Sequence, residues 1–177
     1  MATVYLATTG SDSYTYAQAQ NPATPWLTPG KVVSSATSGD TVRMAAGTYT
    51  WATVNFTGKT FTFIGAAIEN GLPATILDAG GGQASWMYAT NVSVSNAMFQ
   101  NAIPNATYQI FFGGFNPTIG HFDFTQCVFR NLTLSTNGTS YAIFGSPGGG
   151  GIVSTMTSCL LYNLLGASAG NTNTTLS

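Results

Sequence analysis

The chain has 177 residues, 44% of them hydrophobic, 12% aromatic and only 5% charged, with a net charge of −1. That apolar content excludes a disordered chain. Four scattered basic residues, Lys31, Arg43, Lys59 and Arg130, make no nucleic-acid footprint, and no run of eighteen apolar residues offers a transmembrane helix. Ordinary soluble domains carry about 25% charged residues; here Ser, Thr, Asn and Gly must keep the surface soluble, a weakly repulsive coat that suits packing against neighbours.

The length suits one domain, residues 1–177, with an N-terminal strand and capping helix (1–40), repeated units (41–165) and a polar tail (166–177). Met1–Leu6 has neither a basic stretch nor a long apolar stretch, so no secretion signal is read. Thr28-Pro29 is an N-cap followed by proline at the first helical position. Lys31 to Ala36 then places Val32, Val33 and Ala36 on one face, which predicts about two turns of amphipathic helix across one end of the molecule.

Three later segments align without gaps: VSNAMFQN (94–101), FTQCVFRN (124–131) and MTSCLLYN (156–163). Their first and sixth positions are apolar, the fourth is Ala97, Cys127 or Cys159, and the last is Asn101, Asn131 or Asn163. Tyr108-Gln-Ile-Phe and Tyr141-Ala-Ile-Phe form a second match, and glycine clusters at 80–82, 113–114 and 148–151 punctuate the units. Repetition at a fixed period means stacked supersecondary units. With alternating apolar and polar residues and no 3.6-residue period, each unit is one coil of an all-β, parallel solenoid rising about 4.8 Å per coil.

In that geometry, inward asparagines adopt left-handed backbone angles at a sharp turn and hydrogen-bond from coil to coil as a ladder. Cys127 and Cys159 stack at equivalent inward positions. Their separation lies within the range for a disulfide, but parallel side-chain directions oppose one, and two reduced core thiols are expected. Residues 166–177 hold only Leu176 as a strongly apolar residue, so another copy of the chain is expected to hold that tail.

The pattern Val4-Tyr-Leu-Ala-Thr-Thr-Gly-Ser-Asp12, Ser38-Gly-Asp-Thr-Val42 and Ala46-Gly-Thr-Tyr49 resembles the opening of pectate-lyase-like right-handed parallel β-helix proteins. Phe61 to Gly65, Ile76 to Gly80 and the three Asn-terminated units continue the resemblance, which spans most of residues 3–165. It implies a single-stranded, right-handed β-helix of about four to five coils behind the short N-terminal capping helix. It also implies one of three roles: a polysaccharide lyase or hydrolase, a bacteriophage tailspike or virion decoration protein (usually trimeric), or an adhesin.

Catalytic groups are scarce. Of the five acids, Asp12, Asp40 and Asp78 sit in turn signals where a carboxylate accepts backbone N–H bonds, and Glu69 lies in a Gly- and Pro-flanked loop. No carboxylate pair of the kind glycoside hydrolysis uses and no calcium-binding cluster is visible. The candidates are His121 and Asp123, two apart and so on one strand face, with Arg130 pointing outward from the next strand. They form either a histidine with an orienting carboxylate and a cationic anchor for an acidic sugar, or an exposed polar face. Tyr14, Tyr16, Trp26, Trp51 and Trp86 are a possible sugar-stacking surface, although most aromatics in such a chain line the core.

The expectation is therefore a non-catalytic structural protein without metal or cofactor that assembles as a homotrimer. It would be a bacteriophage capsid-decoration protein, assembled in the host cytoplasm beside the major capsid protein, with no nucleic-acid or membrane partner. The alternatives are a carbohydrate-active or carbohydrate-binding domain touching a surface glycan, and an extracellular adhesin or filament subunit.

Overall fold

The structure, a computed structural model, describes residues 1–56, 58–87, 89–104, 110–113, 120–133, 135–136, 139–140, 142–145 and 152–165. Tyr108 and Tyr141, the glycines at 114 and 148–151, and the tail 166–177 lie outside the described residues.

After β1 (Thr3–Leu6) come α1 (Tyr16–Ala19) and α2 (Pro29–Ser35). The first pass of strands is β2 (Thr41–Met44), β3 (Gly47–Thr50) and β4 (Val54–Asn55). The second is β5 (Thr60–Ile64), a hairpin of β6 (Ile68–Glu69) and β7 (Leu72–Pro73), then β8 (Thr75–Asp78) and β9 (Trp86–Met87). The third is β10 (Asn91–Ser95), β11 (Ala97–Ala102) and β12 (Ile110–Gly113). The fourth is β13 (Gly120–Thr125), β14 (Val128–Thr133), a hairpin of β15 (Ser135–Thr136) and β16 (Thr139–Ser140), then β17 (Ala142–Gly145). The last described strands are β18 (Ile152–Thr157) and β19 (Leu160–Leu165).

These strands make the chain mostly β, built on three parallel sheets. Sheet A runs β1-β2-β5-β10-β13-β18, sheet B runs β3-β8-β11-β14-β19, and sheet C runs β4-β9-β12-β17. Each pass thus visits A, B and C in the same order, and each new strand pairs with its counterpart from the pass before.

Because side chains alternate along a strand, in-register pairing turns each apolar position into a column. In sheet A one column is Val4, Val42, Phe63, Val94, Phe124 and Met156. Sheet B contributes Tyr49, Leu77, Phe99, Phe129 and Leu161, and sheet C Val54, Trp86, Phe112 and Phe144. The columns meet in one aromatic core. Phe99 and Phe129 stack with ring centroids 5.2 Å apart, and Phe112 meets Phe124 edge-on at 4.8 Å. Such pairs add about 0.5–1.5 kcal/mol each beyond their burial.

The register corrects one expectation. The two Y-x-I-F segments align Phe111 with Phe144, but the structure pairs Phe112 with Phe144 and Ile110 with Ala142. A one-residue slip would send every side chain of β17 to the opposite face. Keeping Phe144 on the Phe112–Trp86 column decides the register.

The corners between sheets A and B come from single left-handed residues. Asn96, Gln126 and Ser158 have φ of 55°, 53° and 53° and separate β10 from β11, β13 from β14 and β18 from β19. The same corner on the second pass is tight: a Cβ at Gly65 would lie 2.0 Å from the Asn96 carbonyl oxygen, so only glycine fits.

At the N-terminal end the edges of sheets A and C are covered. Thr28 caps α2, its hydroxyl accepting from the Lys31 amide at 3.2 Å, and Val32 and Val33 are buried. α2 packs against β4, the edge strand of sheet C, and the Lys59 ammonium donates to the Val33 carbonyl of α2 at 2.7 Å. Trp26 bridges the edge of β1 through its own backbone, with Ala7 N donating to Trp26 O and Trp26 N to Tyr5 O. Asp40, fully buried, ties Ala2 N, Thr37 N and the Tyr16 hydroxyl together.

Candidate functional site

Strand alternation on β13 buries Phe122 and Phe124 and turns His121 and Asp123 outward. His121 Nε2 lies 3.0 Å from Asp123 Oδ1, with the side chains 36% and 31% exposed. The Thr155 hydroxyl donates to the same Oδ1 from β18. Arg130 does not join them. It sits on β14 in sheet B, where its Nε donates to Gln100 Oε1 at 2.7 Å and a terminal nitrogen donates to the Tyr162 hydroxyl at 3.0 Å. The structure brings together two of the three candidates and assigns the third to a different face.

Arg130 belongs to a longer array. Sheet register aligns Asp78, Gln100, Arg130 and Tyr162 on the outer face of sheet B. Gln100 Nε2 donates to Asp78 Oδ2 at 2.6 Å, so the four side chains form one unbroken run of hydrogen bonds.

The asparagines form a second run beside it. Asn163 Nδ2 donates to Asn131 Oδ1 at 2.5 Å, and Asn131 Nδ2 donates to Asn101 Oδ1 at 2.9 Å. Asn101 Nδ2 donates to Asp78 Oδ2 at 2.9 Å, so this ladder too ends on Asp78. All three asparagines are left-handed, with φ of 55°, 53° and 51°. They are not inward, however: Asn101 and Asn131 are half-buried and Asn163 is exposed. The left-handed residue breaks strict alternation, so the next residue, Ala102 or Leu132, returns to the core while the amide stays at the rim.

Asp78 is thus the common acceptor of two polar columns, a role the turn reading missed. Burial pushes its carboxyl upward. Hydrogen bonds from the Gly80 amide, Gln100 and Asn101, with the Arg130 charge, outweigh that and hold it below the ordinary carboxylate value. The available signal was the seventh position of the repeat, where Gln100, Arg130 and Tyr162 are all long and polar and follow Asp78 in register.

Cys127 and Cys159 are both free; Cys127 is buried and Cys159 half-buried. Their thiols point at carbonyls, Cys127 at Val94 O and Cys159 at Phe124 O. The contact between them, with burial added, raises Cys127, and the same contact lowers Cys159.

The aromatic candidates do not form a stacking surface. Trp26, Trp51 and Trp86 are fully buried, and Tyr14 and Tyr16 pack partly buried against the same core. Of the remaining acids, Asp12 holds structure, accepting from Leu27 N, Thr28 N and the Thr28 hydroxyl, whereas Glu69 is exposed on its hairpin. Among the described residues no group of three His, Cys, Asp or Glu could hold a metal. A groove of about 510 Å³ runs beside the amide ladder, lined by Gly80, Gly81, Asn101, Asn131 and Thr133 among others.

Comparison with protein-family models, curated proteins and solved structures finds no match to this chain.

Proposed function

We propose that the chain is a small right-handed parallel β-helix and a non-catalytic structural subunit, one that assembles as a homotrimer and decorates a bacteriophage capsid. The winding is supported by the fixed A, B, C order of the strands and by in-register columns in all three sheets. The structural role is supported by what the polar side chains do. Asp12, Asp40, Asp78, Lys59 and Arg130 bind backbone groups or ladder side chains and so hold the stack together. The ladder that joins four passes through Asp78 is the observation that carries the reading: the chemistry-bearing groups are spent on rigidity. The virion setting rests on the sequence resemblance and on a surface with few charges to repel neighbours.

The deciding measurement is the mass and symmetry of the native assembly, by light scattering and electron microscopy. Three chains of 18.4 kDa about one axis, alone or as a pair of such trimers, and density for the protein on a capsid lattice, are expected. A monodisperse monomer that leaves capsids bare removes the proposal.

A second reading, a carbohydrate-binding β-helix domain, is favoured by the groove beside Asn101 and Asn131, whose amides and the Thr133 hydroxyl suit a neutral sugar. Binding of an oligosaccharide that weakens in Thr133→Ala, with the fold unchanged, would select it.

A further inference from the structure

The two ends of the stack are unlike. At the N-terminal end the edge of sheet A is covered by Trp26 and the Asp40 bonds, and the edge of sheet C by α2. At the other end, among the described residues, no strand pairs with the outer edge of β18 or β19.

Burial along the columns falls at that last rung. Phe129 and Leu132 are fully buried, but Leu161 and Leu164, their equivalents on β19, are only half-buried. On the outer face Val128 is 5% exposed and the next residue in its column, Leu160, is 49% exposed. Val153 on β18 is 46% exposed and Tyr162 on β19 37%. The amide ladder also stops there, with Asn163 exposed.

Exposed edge strands are normally guarded by lysines, prolines or bulges, because a bare edge pairs with other chains. This one carries none of these charges: after Arg130 the sequence has no Asp, Glu, Lys, Arg or His, and β18 and β19 contain no proline. Every charged side chain of the molecule lies in residues 12–130. Two such ends can therefore approach without repulsion between charged side chains, and among the described residues each offers apolar side chains, unpaired strand edges and the last amide of the ladder.

We infer that the β18–β19 rung docks a second copy of this chain, rung against rung, about a two-fold axis. The same patch then serves both partners, as an isologous contact requires. The inference rests on the self-assembling reading above and names one of its contacts; with three chains side by side, it joins two trimers end to end.

The test is mass by light scattering and native mass spectrometry on wild type, Leu160→Lys, Val153→Lys and Thr48→Lys. Both rung substitutions fall on exposed positions, and an unchanged far-UV spectrum establishes folding for at least one of them. Thr48 heads the same outer column as Leu160, at the opposite end. Wild type is expected to hold an even number of chains, either rung variant to halve that number with at least about tenfold weaker association, and Thr48→Lys to change nothing. An even assembly that both rung variants leave intact overturns the inference. A wild-type trimer that they leave intact overturns it while preserving the assembly reading. A wild-type monomer overturns both.

Discussion

Left-handed residues shape this molecule one position at a time. Six of them recur as two sets of three, Asn96, Gln126 and Ser158 at one corner and Asn101, Asn131 and Asn163 five residues later. Asparagine tolerates this conformation better than most side chains; glutamine and serine do not share that advantage. Gln126→Gly should therefore stabilise the protein by up to about 1 kcal/mol, since relief of left-handed strain exceeds the entropy glycine adds to the unfolded chain. A melting temperature at or below wild type would show that the Gln126 side chain contributes more than its backbone costs. Asn131→Gly is expected to behave oppositely, because it breaks the ladder.

Asp78 gives the residue scale its pH dependence. Its folded pKa lies below the unfolded value of about 3.9, so its contribution is complete above that value and is lost as pH falls through the folded one. Asp78→Asn should cost about 1 kcal/mol at neutral pH, a value kept small by solvent around the half-buried carboxylate. It should also flatten the acid side of the stability profile. Equal acid slopes in wild type and variant would count against Asp78 as the shared acceptor.

Among the elements, α2 was the most legible. Thr28, Pro29 and the Val32/Val33/Ala36 face specify its start and its buried side through local chemistry alone. The Asn-terminated units were legible too, because apolar alternation and a fixed period survive in a single sequence. The β6–β7 hairpin was not anticipated, although Asn70-Gly71, with φ of 51° and 81°, is the dipeptide that favours such a turn. The register of β12 on β17 was misread because a four-residue match cannot tell which of two adjacent phenylalanines faces the core. Tyr49 ties β3 to the N-terminal strand, its buried hydroxyl donating to Leu6 O and Ala45 O. Burial pushes its pKa up to about 12. The stability it supplies is intact below pH 10 and is lost as pH rises from about 10 through about 12. Alkaline melting curves should fall across that window in wild type and less steeply in Tyr49→Phe.

For the whole molecule, the sequence shows parallel repetition and shows that few side chains are available for chemistry. It does not show which polar groups meet, since that depends on register between residues about thirty apart. His121 and Asp123 were readable as a pair because they share a strand, whereas Arg130's partners, Gln100 and Tyr162, lie one pass away on either side.

The in-register columns also make length an adjustable quantity. A pass contributes one residue to each column and its strands in sheets A, B and C pair only with those of the passes on either side, so stability is roughly a sum of rung and interface terms, with Trp51 of the first pass reaching Phe99 and Phe112 of the third as an added tie. A chain with the unit 102–131 duplicated after Asn131 would keep every column continuous, lengthen by about 4.8 Å and place a fourth asparagine in the ladder. The molecule is in this sense a ruler whose graduations are written in its sequence.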